Sequence, residues 1–323
     1  MRAVPVFITA GIATAPQFLD RFAERLGAEL TLGGRPLAPE VAFPYGDWSR
    51  GKAAQVREFA RDWWLPHGRA RDAAGAKGAA WLAARAAASC PPGTPPPLLI
   101  GHSGGGVACI RAAVLLRRLG IAPYGVVQIG SPKCAVPGWL RPRTLFIRAV
   151  TASGRPADPI TRLGGWGGWR RGRSGPPRWS ATARAPGQTL GVRIVGGHAD
   201  YFRDHAPYKQ GTISNLDITL HAVQLWLADE RQGGIAMIDI QKASMSYSKS
   251  DGYVGQVEFR IAGHEMPYEM TLHSSNSKEW SYGLHFLQQS GREEDILAVE
   301  DMLEEDDELF DRLVEAAENT LVK

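Results

Sequence analysis

The chain has 323 residues, of which 44% are hydrophobic and 22% are charged. This composition leaves room for one large or two ordinary domains, and it excludes a wholly disordered or collagen-like chain. The net charge of +4 conceals a division, because residues 1–236 carry 30 basic and 14 acidic side chains (net +16) whereas residues 237–323 carry 7 and 19 (net −12).

The cysteines and the apolar segments indicate in which cellular compartment the protein is expected. Cys90, Cys109 and Cys134 form an odd set without a C-x-x-C pair, which favours neither a disulfide framework nor a thiolate zinc site. The first residues lack the long apolar segment and cleavage site of a secretory signal. The most apolar window, residues 97–116, contains His, Ser, Arg and three successive glycines, which is not typical of a membrane span. We therefore expect a cytoplasmic protein with no integral membrane segment.

Short apolar runs alternate with helical patterns through the first 230 residues. Most runs are continuous rather than alternating, which is typical of strands covered on both faces by helices. Helices are predicted to begin near Pro16, directly after the glycines at 104–106, and after Ser214. This order predicts an α/β fold with a mostly parallel sheet and helices on both faces. The predicted strands are Val4–Ile8, Val41–Phe43, Pro97–Ile100, Val126–Ile129, Thr144–Val150 and Val192–Val195.

The composition changes near residue 233, where Arg, Ala, Gly and Pro give way to Ser, Glu and Met. We predict a first domain at residues 1–232, a linker at 233–236 and a small acidic domain of unknown role at 237–323. In the last of these, Tyr253–Ile261 and three similar runs alternate apolar and polar residues, which predicts antiparallel strands. From Glu293 onward no Gly or Pro interrupts an apolar stripe, so one or two helices should follow the strands. This domain is therefore predicted to be α+β.

One sequence motif indicates a catalytic function. Residues 101–105 read Gly-His-Ser-Gly-Gly and match G-x-S-x-G, directly after the apolar run at 97–100 and directly before a helical pattern. This is the strand–turn–helix setting of a nucleophile elbow, in which the serine hydroxyl projects above the sheet. Ser103 is thus a candidate nucleophile, and the alternative is a glycine-rich turn with an incidental serine.

A serine nucleophile needs a base, and the base needs an orienting carboxylate. In this topology the acid and then the histidine follow later strands. Asp158 comes soon after the predicted strand at 144–150, and His198 comes just past the one at 192–195. Asp200 and Asp204 are too close to His198 in sequence to orient it and fit a solvated loop or a helix start better. The alternatives are a simple Asp-Pro turn for Asp158 and an ordinary loop histidine for His198.

With these residues in place, the first 230 residues resemble an α/β-hydrolase of the lipase/esterase kind. The resemblance covers residues 3–230 only, and the C-terminal unit resembles no family that we identify. The segments that carry it are PVFITAGI near the N-terminus, GHSGGG at 101–106, IGSP at 129–132, DPITRLG at 158–164 and GGHADYF at 196–202.

The resemblance implies roles for particular residues. Ser103 would be the nucleophile, His198 the general base and then acid, and Asp158 the orienter. An oxyanion hole would use the backbone N–H groups of Gly104 and Ile12, although the first loop reads Thr-Ala-Gly-Ile rather than His-Gly. No metal or organic cofactor is implied, and the substrate would be a small carboxylic ester or thioester.

Between Asp158 and His198, residues 163–179 are rich in Trp, Arg and Gly. Members of the family commonly carry a lid here. Trp166, Trp169, Arg170 and Arg171 are candidate lid or substrate residues, since they could meet an acyl chain and an anionic group. The alternative is a flexible surface loop. Contact with nucleic acid is disfavoured by the candidate triad.

Two rival functions stay open. The same three residues serve acyl transfer to an acceptor other than water, and a catalytically idle hydrolase fold could act as a binding or regulatory protein. The charges of +16 and −12 further suggest that the acidic unit docks on the basic one within the same chain.

Overall fold

The computed structural model describes residues 2–64, 77–170, 178–228, 238–261, 264–277, 279–305 and 307–321. The chain divides into two units, Met1–Gly233 and Gly234–Lys323. The linker predicted at 233–236 lies outside the described residues, so it stays a prediction.

The first unit is built on one sheet. Its strands are β1 (Val4–Thr9), β2 (Thr31–Leu32), β3 (Arg35–Ala42), β4 (Leu98–His102), β5 (Gly125–Ile129), β6 (Thr144–Ala149) and β9 (Gln188–Val192), with two separate hairpins formed by β7 (Gly168–Arg170) with β8 (Arg178–Ser180) and by β10 (Lys209–Gln210) with β11 (Ile213–Ser214). The sheet order among the described strands is β2-β3-β1-β4-β5-β6-β9. All neighbours pair in parallel except β2, which is antiparallel to β3.

Helices cover both faces of this sheet. They are α1 (Asp20–Glu29), α2 (Lys52–Trp64), α3 (Lys77–Ala88), α4 (Gly104–Arg118) and α5 (Asn215–Ala228). Phe22 of α1 and Leu220 of α5 share one core with alternate residues of the strands, whereas Leu82 of α3 and Val107 of α4 belong to a second core. Because both faces are covered, β4 and β5 are buried along their whole length and read as continuous apolar runs.

The last strand of the sheet corrects one predicted boundary. The run Val192–Val195 was expected to be the strand, but β9 ends at Val192. The chain then leaves the sheet, because the main chain of Val195 is hydrogen-bonded to the side chain of Asn215 at the start of α5. The apolar character of residues 194 and 195 therefore marks a loop held against a helix.

The second unit has a four-stranded antiparallel sheet followed by helices. The strands, in sheet order, are β12 (Ile238–Ser248), β13 (Gly252–Ile261), β14 (Tyr268–Ser274) and β15 (Ser281–Phe286), and the helices are α6 (Glu293–Glu305) and α7 (Asp307–Glu318). One sheet face supplies Val257, Phe259 and Met270 to a core shared with Val299 and Leu313 of the helices. The predicted fold class is thus confirmed for both parts of the chain. None of the helices described is both long and apolar enough to cross a bilayer.

Candidate active site

Ser103 stands alone between β4 and α4, with φ +56° and ψ −130°. A non-glycine residue in this region of backbone space costs about 1–3 kcal/mol, and such strain is concentrated at functional sites. Glycines on both sides allow the turn. A methyl group at Gly101 would lie 2.4 Å from the backbone nitrogen of Gly106, and one at Gly105 would lie 2.5 Å from the carbonyl oxygen of Thr9. The G-x-S-x-G spacing therefore serves close packing between helix and strands.

Asp158 lies past the carboxyl end of β6 and is fully buried. The chain turns back after the strand, and the N–H of Ala157 donates to the carbonyl of Ala149 at 2.9 Å. Beyond it, the N–H of Ile160 donates to Oδ1 of Asp158 at 2.9 Å, and the hydroxyl of Thr161 donates to its main-chain carbonyl at 2.7 Å. These bonds leave Oδ2 facing the neighbouring loop.

His198 lies in that loop, which follows β9 and is fastened to the start of α5. The buried amide of Asn215 accepts from the N–H of Val195 and donates to the carbonyls of Val195 and Asp200, at 2.7–2.9 Å. The carboxylate of Asp200 accepts from the N–H of Gly197 at 2.8 Å, so it belongs to the loop turn, as the sequence suggested.

The three side chains meet in one hydrogen-bonded series. Nδ1 of His198 is 2.9 Å from Oδ2 of Asp158, and its Nε2 is 2.9 Å from Oγ of Ser103. Burial raises the pKa of the Asp158 carboxyl, but hydrogen bonds from His198, Ile160 and Tyr201 outweigh it and hold the pKa below its ordinary value. An ionised carboxylate that accepts from Nδ1–H leaves Nε2 free to take the serine proton.

The first loop lies directly against this turn. A methyl group at Gly11 would be 2.7 Å from Cβ of Ser103, 3.0 Å from its Oγ and 3.1 Å from the backbone nitrogen of Gly104. Among the described residues, neither the N–H of Gly104 nor that of Ile12 donates to a protein acceptor. The N–H of Gly104 also lies at the N-terminus of α4, where the helix dipole favours negative charge. The N–H of Gly104 thus has no protein acceptor beside Ser103, and the oxyanion role of Gly104 and Ile12 stays a prediction.

Sequence reasoning did not assign two polar side chains that support the site. The hydroxyl of buried Tyr201 donates to Oδ2 of Asp158 at 3.0 Å and accepts from the N–H of Ala149 at 2.8 Å. Buried Gln55 accepts from the N–H of Ala13 at 2.8 Å and donates to two carbonyls of the loop before α2. Tyr201 belongs to the GGHADYF segment, but nothing in the pattern around Gln55 marks it, because it lies on the buried side of a helix.

The candidate lid residues have different positions. Trp169 pairs with Trp179 across the β7–β8 hairpin, and both rings are more than half exposed. Trp166 packs edge-on against the ring of Phe146 and beneath the ammonium group of Lys133. The flanks of the segment are thus paired rather than irregular. Arg170 ends β7, and Arg171 lies outside the described residues. The lid role stays a prediction.

The buried cysteines, possible metal ligands and a separate cleft are not part of the hydrogen-bonded series of Ser103, His198 and Asp158. Burial raises the pKa of Cys109 to about 12 and that of Cys134 to about 11, so neither is a thiolate near neutral pH. Over the described ranges, no three His, Cys, Asp or Glu side chains are arranged to hold a metal ion. A cleft of about 630 Å³, lined by residues such as Val4 and Tyr124, lies at the amino ends of the strands, opposite the end that carries Ser103.

Comparison with known proteins gives likenesses in structure alone. No protein-family model and no curated protein matches the chain. A putative hydrolase of the α/β superfamily from Xanthomonas campestris pv. campestris is similar over 71% of this chain and 98% of its own, with 17% identity and a TM-score of 0.34. The Vlm2 thioesterase domain is similar over 69% and 93%, with 15% identity and a TM-score of 0.33.

A third solved structure is similar over a shorter segment. This is YbtT, a type II thioesterase from a yersiniabactin biosynthetic pathway, at 19% identity and a TM-score of 0.26. The match covers 41% of this chain and less than half (43%) of YbtT.

The strand order and the strand–Ser103–helix turn give residues 1–233 an α/β-hydrolase fold, as the sequence resemblance predicted.

Proposed function

We propose that the chain is a serine hydrolase that cleaves a carboxylic ester or thioester through a covalent acyl-enzyme. The observation that carries this proposal is the hydrogen-bonded series from Asp158 through His198 to Ser103. Its members come from three loops at the carboxyl ends of parallel strands, where ligands bind in open α/β sheets.

The first chemical step uses the contact between Ser103 and His198. Nε2 of His198 takes the hydroxyl proton as Oγ attacks the acyl carbon, because a neutral hydroxyl is a poor nucleophile. The imidazole becomes a cation while Nδ1–H stays bonded to the buried carboxylate of Asp158, which stabilises that charge. His198 then gives the proton to the departing alkoxide or thiolate, which leaves the acyl group on Oγ.

The tetrahedral oxygen formed in this step needs hydrogen-bond donors. The N–H groups of Gly104 and Ile12 are the candidates, since each lacks a protein acceptor among the described residues and Gly11, which precedes Ile12, lies close to the nitrogen of Gly104. Losing one such donor typically lowers the rate by roughly 10²–10³-fold. In the second half of the reaction, water attacks the acyl group while His198 acts as base and then as acid again.

The test is a comparison of two buried or half-buried serines near the elbow. Ser103→Ala is expected to abolish hydrolysis of a short-chain p-nitrophenyl ester and labelling by a fluorophosphonate probe. Ser131→Ala is the matched control, because its hydroxyl is buried nearby and contacts Gln128 and the carbonyl of Pro132 instead of an imidazole. Thermal melts of both variants check that the fold is retained.

Three outcomes separate the rival functions. Undiminished turnover in Ser103→Ala contradicts the proposal. Absence of probe labelling in the native chain favours the catalytically idle alternative. A product yield that rises with added alcohol or amine, at the expense of free acid, identifies an acyltransferase. The docking of the acidic unit stays a separate prediction, and a salt titration of turnover by the whole chain tests it.

A further inference from the structure

His102, the residue before the candidate nucleophile, occupies a nearly closed aromatic site. Its side chain is the last of β4, and the residue is 5% exposed. The ring of Phe18 lies 5.4 Å away and that of Phe202 5.2 Å away, measured between ring centroids. The remaining face is covered by the imidazole of His198, with the centroids 4.9 Å apart and the planes inclined by only 24°. His102 is therefore in contact with the candidate base.

A hydrogen bond joins the same two residues. Nε2 of His102 lies 3.0 Å from the main-chain carbonyl oxygen of His198. A carbonyl oxygen only accepts, so Nε2 carries the hydrogen, and the neutral ring leaves a lone pair on Nδ1. Among the described residues that Nδ1 has no partner. Burial, and to a lesser degree the charge of nearby His198, lower the pKa of His102 to about 3, so this tautomer persists across neutral pH.

The loop that carries His198 is held to α5 by Asn215 and across its own turn by Asp200, and His102 contacts it on the side of β4. Gly196 has φ +99°, and a methyl group at Gly197 would meet nothing within 4 Å. The bonds of Asn215 and Asp200 are made to neighbouring residues of the loop, and within the described part of the chain the hydrogen bond from His102 is the one made to the main chain of His198 itself. His102 holds that main chain and is bonded covalently to Ser103, so one residue links the strand of the nucleophile to the loop of the base.

We infer that His102 is a positioning residue, which keeps the imidazole of His198 in line with the hydroxyl of Ser103 by donating from Nε2 to the main chain of His198 and by stacking on its ring. This role rests on the proposed hydrolase function. A displacement of a reacting group by about 1 Å can cost two orders of magnitude in rate, so a modest loosening of the loop should be measurable.

Two variants separate the hydrogen bond from the stacking. His102→Phe keeps a ring in the aromatic site but has no donor, whereas His102→Gln places an amide N–H near the position of Nε2 without a ring. We expect His102→Phe to lower kcat for the p-nitrophenyl ester about tenfold, the typical worth of one hydrogen bond, with KM changed less than twofold. His102→Gln should recover at least half of that loss on a logarithmic scale. The rate of fluorophosphonate labelling should follow kcat in both variants.

The possible results test the proposed hydrolase function and the role of His102 separately. If the native chain neither labels nor turns over ester, the hydrolase proposal fails. If the native chain reacts and His102→Phe reacts at the same rate, or if His102→Gln is no better than His102→Phe, the positioning role is refuted. An NMR measurement on the native chain needs no variant, so its result does not depend on whether the variants fold. A His102 Nε2–H signal that persists unchanged from pH 5 to 8 supports the inference, and titration of that ring in the same range overturns it.

Discussion

Replacing Gly11 by alanine is expected to close the space where the oxyanion would form. The added methyl carbon would stand 2.7 Å from Cβ of Ser103 and 3.1 Å from the backbone nitrogen of Gly104, whereas ordinary contacts begin at 3.4 Å. Neither neighbour can move aside freely, because one belongs to the strained turn and the other to the first residue of α4. The first loop must therefore shift away from the elbow, which separates the N–H of Ile12 from that of Gly104.

Two costs follow from this shift. Crowding a packed region typically lowers the unfolding free energy by about 1–3 kcal/mol. The loss of one oxyanion donor lowers kcat/KM by roughly 10²–10³-fold, so activity should fall far more than stability. Glycine is not required at position 11 by its backbone, since its φ is not positive. Steric exclusion alone accounts for the expected effect.

The assay is ester turnover with urea titration of the same samples. Gly51→Ala is the control, since a methyl group there would meet nothing within 4 Å and the residue has no positive φ. It should retain kcat/KM within twofold of the native value. A Gly11→Ala variant that is folded and fully active would refute the close approach of the first loop to Ser103 and, with it, the assignment of Ile12.

Three further predictions concern buried polar groups. Tyr201→Phe leaves the N–H of Ala149 without its acceptor, so urea titration should show a loss of roughly 1–3 kcal/mol. Ester kinetics should show kcat reduced severalfold. Tyr45→Phe, which removes a similar buried bond to Asp62, should cost similar stability and leave kcat unchanged; equal kcat in the two variants would contradict the role of Tyr201. Burial raises the pKa of Asp62 to about 6, above the ordinary value near 4, so the folded state binds its proton more tightly than the unfolded state. Stability should therefore fall by roughly 3 kcal/mol in all as pH rises from about 3 to about 7, with about 2 kcal/mol of this lost between pH 4 and pH 6. Asp62→Asn should lack this fall, and unfolding curves with the same pH slope as the native chain would disprove it. Gln55→Ala should lower kcat about tenfold with little change in KM, because the N–H of Ala13, next to the candidate oxyanion donor Ile12, loses its acceptor; a change in KM alone would contradict this.

The elbow and the order of the three candidate residues could be predicted because they depend on local chemistry. A Cβ at Gly101 or Gly105 would collide with the backbone at this sharp strand-to-helix turn, and continuous apolar runs mark strands covered on both faces. The edge of the sheet that carries the candidate residues could be predicted from the same pattern, since the loops that follow parallel strands lie at one edge. The prediction failed at Val192–Val195, where an apolar run packs as a loop and the strand precedes it, and at Val41–Phe43, where the strand already begins at Arg35 and ends at Ala42.

The sequence by itself determined the opposite charges of the two parts of the chain and the fold class of each, and it indicated three candidate positions for a nucleophile, a base and an acid. Only the tertiary structure decided which polar groups are hydrogen-bonded to the candidate residues or to their loops. His102, Tyr201 and Gln55 each act on atoms far away in the chain or across a loop, such as the carbonyl of His198 or the N–H of Ala149. Hydrophobic periodicity indicates which face of a helix or strand is buried. The partner of a buried polar atom is fixed only when the folded chain excludes water and brings one particular donor within reach of one particular acceptor.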